Sequence, residues 1–174
     1  LARQNAGAFP QARFECADAA RLGEYFRRFG PPELLVCDPP RAGMDEKTTQ
    51  AILRARPGCL VLVSCNPATL ARDLARLTTG DAAAYEILAV RPVDMFPQTP
   101  HVECVVSLRA KGAEKLSVAI QISFHGAVFF TRQFRLALSQ KRVDSAARRV
   151  WFCSGTGGNI CAPAVKDSFN TILE

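Results

Sequence analysis

The sequence predicts an α/β domain with a mostly parallel sheet across residues 1–110. Three observations carry this. Short apolar runs alternate with segments of helical periodicity, in the order βαβαβαββ. Two of the runs, 34–37 and 59–63, are apolar without interruption, as strands buried on both faces are. Reactive groups then follow at strand ends, where open α/β sheets collect their chemistry: Asp38 after the first run, Cys65 after the second, and Glu103 at the start of the last strand.

The elements follow in order. Residues 12–16 form a short strand candidate. Asp18 caps the next helix, which carries Leu22, Tyr25, Phe26 and Phe29 on one face. Gly30-Pro31-Pro32 stops it. A helix over 48–55 separates the two buried strands and ends at Pro57-Gly58. Pro67 suits the first position of a helix that runs to about residue 77. Strands over 85–90 and 102–108 complete the set. Leu1–Ala6 reads as the last turns of a helix that began upstream, and the first residue is Leu, so the N-terminus is expected to have been cut off.

Near Lys111 the chain changes character. Residues 1–110 hold 13 basic and 12 acidic residues, a balance of +1, and Arg outnumbers Lys twelve to one. Residues 111–174 hold nine basic and four acidic, a balance of +5, with five Arg to four Lys. That division predicts a second unit, a basic tail over 111–174 with no assignable fold, of foreign or frame-shifted origin. It has apolar stretches at 116–122 and 127–130, basic pairs Lys141-Arg142 and Arg148-Arg149, and Gly155-Thr156-Gly157-Gly158. The glycine stretch is no P-loop, since no Gly-Lys-Ser/Thr follows. Its positive charge suits nucleic acid phosphate.

At 174 residues, 48% hydrophobic and 22% charged, the composition is globular. No apolar run reaches membrane-spanning length, and no signal-peptide pattern opens the chain, which points to the cytoplasm. The seven cysteines lack C-x-x-C spacing, which argues against a disulfide framework and against a zinc or iron–sulfur site. Most read as small buried hydrophobes.

Cys65 is the exception. It stands between a buried strand and the Asn66-Pro67 helix start, where the helix dipole and free backbone N–H groups favour a thiolate, the nucleophilic form. The plainer reading is a buried structural cysteine. Pro39 and Pro40 stiffen the loop after Asp38 and aim Asp38 and Arg41 into the crevice. A carboxylate there suits an ammonium or sulfonium ligand; helix capping or a surface ion pair is the alternative. Glu103, partly buried at a strand end, can act as a base. His101 is an orienting group or an ordinary surface histidine.

Asp38-Pro39-Pro40-Arg41-Ala42-Gly43, Ser64-Cys65-Asn66-Pro67-Ala68-Thr69-Leu70-Ala71-Arg72-Asp73 and Asp94-Met95-Phe96-Pro97-Gln98-Thr99-Pro100-His101-Val102-Glu103 resemble three successive signatures of the RNA 5-methyluridine methyltransferases. The resemblance spans roughly residues 1–109. It implies a Rossmann-like class I fold, S-adenosylmethionine as cofactor and ribosomal or transfer RNA as partner. It implies that Cys65 attacks uracil C6, that Glu103 removes the C5 proton, and that Asp38 holds the cofactor's methionine end with Asp18 toward its adenine end. Arg41, Asn66 and His101 become substrate-binding candidates. RNA cytosine-C5 methylation is the nearest enzymatic rival, but enzymes of that class often place a cysteine after the double proline, where Arg41 stands. The rival from another class is a non-catalytic remnant with a basic tail that binds RNA or a partner.

The family's glycine-rich first strand unit, its second strand and its preceding RNA-binding domains have no counterpart in the sequence. In the family's strand order, 3-2-1-4-5-7-6, two places stand empty between the strand at 12–16 and the strand at 34–37. The expectations are therefore a two-strand gap, an exposed apolar edge on 34–37, and no cofactor binding by the chain alone.

Overall fold

The computed structural model describes residues 13–80, 83–95, 97–113, 117–123, 133–139, 150–154 and 159–162. The chain begins there with β1 (Arg13–Cys16), a 3₁₀ turn (Ala19–Arg21), α1 (Leu22–Phe29), β2 (Leu34–Asp38) and α2 (Glu46–Ala55). It continues with β3 (Cys59–Ser64), α3 (Pro67–Thr78), β4 (Tyr85–Val93) and β5 (Glu103–Ala110). Four further strands follow: β6 (Ser117–Ser123), β7 (Gln133–Ser139), β8 (Val150–Ser154) and β9 (Asn159–Ala162). The order expected up to residue 110 is the order found, with boundaries moved by one to three residues. The segments 1–12, 127–130, Lys141-Arg142, Arg148-Arg149 and 155–158 lie outside the described residues.

Local chemistry explains the helices. The Asp18 carboxylate accepts the Ala20 N–H at 2.9 Å and opens the 3₁₀ turn that leads into α1. Leu22, Tyr25 and Phe26 are buried along α1. Asp45 caps α2 through the Thr48 N–H at 2.7 Å. Asn66 caps α3 through the Ala68 N–H at 3.1 Å, with Pro67 at the first helical position.

The main sheet has seven strands in the order β1-β9-β8-β2-β3-β5-β4, and β6 and β7 pair as a separate two-stranded sheet. β2 is parallel to β3 on one side and to β8 on the other. β9 is antiparallel to both β8 and β1, so β1 runs the same way as β2. β3, β5 and β4 are successively antiparallel. The expected order is kept, but its two empty places are filled by β9 and β8.

The open gap and the exposed edge on 34–37 are thus corrected. Val150–Ser154 opens with four apolar residues, and it pairs residue for residue with β2, from Leu34↔Val150 to Asp38↔Ser154. The reason is the cost of leaving an apolar edge's N–H and C=O groups without partners. The strand that covers this edge comes from the basic tail, more than a hundred residues away in sequence.

The pleat sorts the core. Leu35, Cys37, Leu60, Leu62, Val106, Leu108 and Cys153 join the helix residues Leu22, Phe26, Ile52 and Leu70 in one cluster. Leu34, Val36, Val61, Val63 and Val105 alternate with them and are buried outside that cluster, on the opposite face. The sheet is therefore buried on both faces around β2 and β3. Among the described residues, no helix is long and apolar enough to cross a membrane.

If β8 seals β2, deleting residues 140–174 should reopen an apolar edge. The shortened chain is expected to self-associate, and light scattering with size-exclusion chromatography checks this. A shortened chain that stays monomeric and melts at the same temperature would show that β2 does not need β8.

Candidate active site

The candidate residues meet at one end of the sheet. β2 and β3 are parallel, so Asp38 and Ser64-Cys65 leave at the same end. β5 runs the other way, and its first residue, Glu103, returns to that end. β1 shares the direction of β2, so Asp18 follows a strand tip on this end too.

Register places the side chains further. Ser64 pairs with Cys104 as the last pair of that ladder, so Cys65 and Glu103 are each one residue beyond it, at the same end of the sheet. Cys37 pairs with Leu62, which aligns Asp38 with Val63, one strand over and two residues before Cys65. These spacings put the Asp38 and Cys65 backbones within roughly 10 Å. Asp38 shares the pleat face of Leu34 and Val36, and Glu103 that of Val105. Both belong to the face away from the helix-side cluster. A thiol and two carboxylates thus come from three adjacent strands to one end of the sheet.

Burial separates the cysteines. Among the five whose side chains are described, Cys37, Cys59, Cys104 and Cys153 are buried and Cys65 is half-buried. Burial, and then the charge of Glu103, push the Cys104 thiol up, away from thiolate chemistry. Glu103 is 2% exposed, Asp38 is half-buried, and Asp18, Arg41 and His101 are exposed.

Ser64 and Asn66 shape the turn around Cys65. The Asn66 N–H donates to Ser64 Oγ at 3.2 Å, and the hydroxyl returns to the Asn66 carbonyl at 3.2 Å. The Asn66 side chain caps α3 with its oxygen and donates its amide to the Arg41 carbonyl at 3.2 Å. Its contacts here are to backbone. The His101 N–H donates to Thr99 Oγ1 at 3.3 Å. No group of three or more metal-binding side chains is found among the described residues. A groove of about 700 Å³ between α1 and α2, lined by Phe26, Arg27, Lys47 and Arg54 among others, contains none of the candidate residues.

Sequence reasoning missed a clamp. One side of α3 holds the loop that follows Asp38. Thr69 Oγ1 donates to the Arg41 carbonyl at 2.9 Å, and Arg72 Nη2 to the Ala42 carbonyl at 2.8 Å. The Met44 N–H donates to Asp73 Oδ2 at 2.7 Å, and Arg72 pairs with Asp73 Oδ1 at 2.8 Å. Asp73 is 2% exposed, so its charge is held by these partners and by Arg76 at 3.6 Å. Gly43 lies under this cluster at φ +80°, and a Cβ there would strike the Arg72 and Asp73 side chains. The spacing 66, 69, 72–73, 76 on a predicted helix was the available signal: polar residues recur there at helical period.

The clamp generates a test. Asp73→Ala strands a buried N–H and a partly buried guanidinium, and is expected to cost about 3 kcal/mol. Gly43→Ala is expected to cost about 2 kcal/mol from the left-handed backbone alone. Urea unfolding measures both. Midpoints within error of the parent would remove the clamp as a structural element.

Comparison with known proteins places the chain. The family model for tRNA (Uracil-5-)-methyltransferase matches residues 1–111. An uncharacterized RNA methyltransferase of Bacillus anthracis is 42% identical over 113 residues, which cover 63% of this chain and 24% of that protein. One from Gloeobacter violaceus is 55% identical over 76 residues, covering 44% and 16%. The crystal structure of Pyrococcus abyssi tRNA (uracil-54, C5)-methyltransferase in complex with S-adenosyl-L-homocysteine is 45% identical over 44% of this chain and 18% of that one, at a TM-score of 0.39. The chain spans a quarter or less of the length of these relatives. With the family model covering well over half of it, this chain belongs to the tRNA (uracil-5-)-methyltransferase family.

Proposed function

We propose that the chain carries the nucleophile and base of an RNA uracil-C5 methyltransferase, acting on ribosomal or transfer RNA. One observation carries this reading: Cys65, Glu103 and Asp38 come to the same end of the sheet from three neighbouring strands.

Uracil C5 is a weak nucleophile, so covalent activation divides a hard step into easier ones. Cys65 Sγ bonds to uracil C6 and electron density moves to C5. After C5 gains its methyl group, Glu103 takes the C5 proton, the C6–S bond breaks, and the thiolate leaves. The half-buried position of Cys65 at the turn before α3 lets it meet a uridine taken out of its stack. The clamp on residues 41–44 fixes the loop behind Asp38 to the helix that begins beside Cys65, so the two groups keep their spacing.

The residues present fit S-adenosylmethionine at its charged end. Asp38 is a half-buried carboxylate at the tip of β2, the complement of an ammonium group. Asp18 lies at the same sheet end for the adenine side, although it already caps the 3₁₀ turn. When bound, the cofactor supplies an electrophilic methyl group. Arg41 and His101, both exposed, are the side chains left to meet RNA.

The chemistry is tested by grafting residues 1–111 into a full-length relative and adding RNA that carries 5-fluorouridine. Fluorine cannot leave as a proton, so a covalent adduct is expected on a denaturing gel. Cys65→Ala should abolish it, whereas Cys37→Ala and Cys59→Ala should keep it. An adduct formed by the Cys65→Ala protein would remove the assignment. Glu103→Gln is expected to accumulate the covalent complex on ordinary RNA, and normal turnover would place the base elsewhere.

A further inference from the structure

We propose that Cys37 and Cys153 form a peroxide-oxidisable pair, a disulfide site that fastens β8 to β2. The pair is independent of the methyltransferase reading. Cys37 and Cys153 are register partners on adjacent parallel strands, and both side chains belong to the helix-side core. Their exposures are 2% and 6%, and the two thiols hydrogen-bond each other. Neighbouring strands lie ~4.8 Å apart, inside the Cα separation that a disulfide spans.

The other three cysteines whose side chains are described cannot compete. Cys59 aligns with Leu34, three residues from Cys37 and on the opposite pleat face. Cys104 pairs with Ser64 on β5, two strands from β2. Cys65 lies beyond the end of β3.

The shared hydrogen bond shifts the two thiols in opposite directions. Donation from Cys37 lowers the Cys153 thiol, against burial and the carboxylates of Asp45 and Asp18. The same bond, followed by burial, holds Cys37 well above the ordinary thiol range. One route of oxidation begins at Cys153. Its sulfur attacks a peroxide oxygen: an S–O bond forms, the O–O bond breaks, and hydroxide leaves and is protonated to water. Cys37 sulfur then attacks the Cys153 sulfenic acid. The S–S bond forms, the S–O bond breaks, and the Cys37 proton leaves with the hydroxyl as a second water. Two thiols lose two electrons in total, and one peroxide gains them.

The consequence is mechanical. The bond closes the chain between residues 37 and 153 and prevents β8 from leaving β2, while the reduced form leaves β8 held by its backbone ladder and packing alone.

The experiment uses the full chain with hydrogen peroxide, followed by alkylation, digestion and mass spectrometry without reduction. A linked peptide pair containing Cys37 and Cys153, lighter by two hydrogens than the sum of the free peptides, is expected. It should disappear with dithiothreitol and in Cys153→Ser, and persist in Cys59→Ser. A second readout does not depend on any variant. Protease cleavage between residues 113 and 150 should leave the two pieces of the oxidised wild-type chain joined on a non-reducing gel, and separate them after reduction. Cys37 or Cys153 recovered only as separate sulfinic or sulfonic acids, or linked to other cysteines, would overturn the proposal. So would oxidised pieces that separate without reductant.

Discussion

β2 must have a strand on each side. Its first four residues, Leu34 to Cys37, are buried, and an unpaired backbone edge there would cost several unmade hydrogen bonds as well as apolar exposure. β3 covers one edge and β8 the other. The rest of the sheet follows from this. β8 brings β9 as its antiparallel neighbour, β9 carries β1, and β1 then runs in the direction of β2. The tips that hold Asp18, Asp38 and Cys65 share one end because these pairings are satisfied together.

A second constraint acts inside that end. A loop rich in proline and glycine connects β2 to α2, and turns alone would leave its position to solvent-exposed backbone. Asp73 prevents this by placing a buried carboxylate under the Met44 N–H, with Arg72 bridging from the carboxylate to the Ala42 carbonyl. The arrangement is polar, buried and geometrically demanding, so it gives the loop one conformation rather than several. Its helix starts two residues after Cys65, with Asn66 as the cap between them. The loop after the candidate cofactor ligand and the turn that carries the candidate nucleophile are thus fixed to the same rigid body.

The outer strand shows the opposite treatment. β4 exposes Ile87, Leu88 and Val90, the last at 54%. A register irregularity between Ile87 and Ala89 breaks its ladder with β5, and Pro92 removes one backbone donor. These features limit strand addition at that edge. β2 has no such protection, which is why its edge is covered rather than blunted.

The sequence by itself determined the elements up to residue 110, because each rests on local chemistry: apolar runs for the strands, Asp18 as a cap, and Pro and Gly at the ends. It also determined which residues carry reactive groups, since Asp38, Cys65 and Glu103 can be read from their places beside those runs. Tertiary structure alone decided how these residues meet. The antiparallel return of β5 brings Glu103 to the sheet end that carries Cys65, 38 positions away in sequence, and nothing local to either residue encodes that return. It also showed that Asn66 spends its side chain on the helix cap and the Arg41 carbonyl. The fate of β2's outer edge was likewise hidden. Val150–Ser154 lies more than a hundred residues from Leu34, and its apolar run has no partner written beside it. Which strand covers an apolar edge is settled by the whole chain's competition for that edge, and only the folded sheet records the outcome.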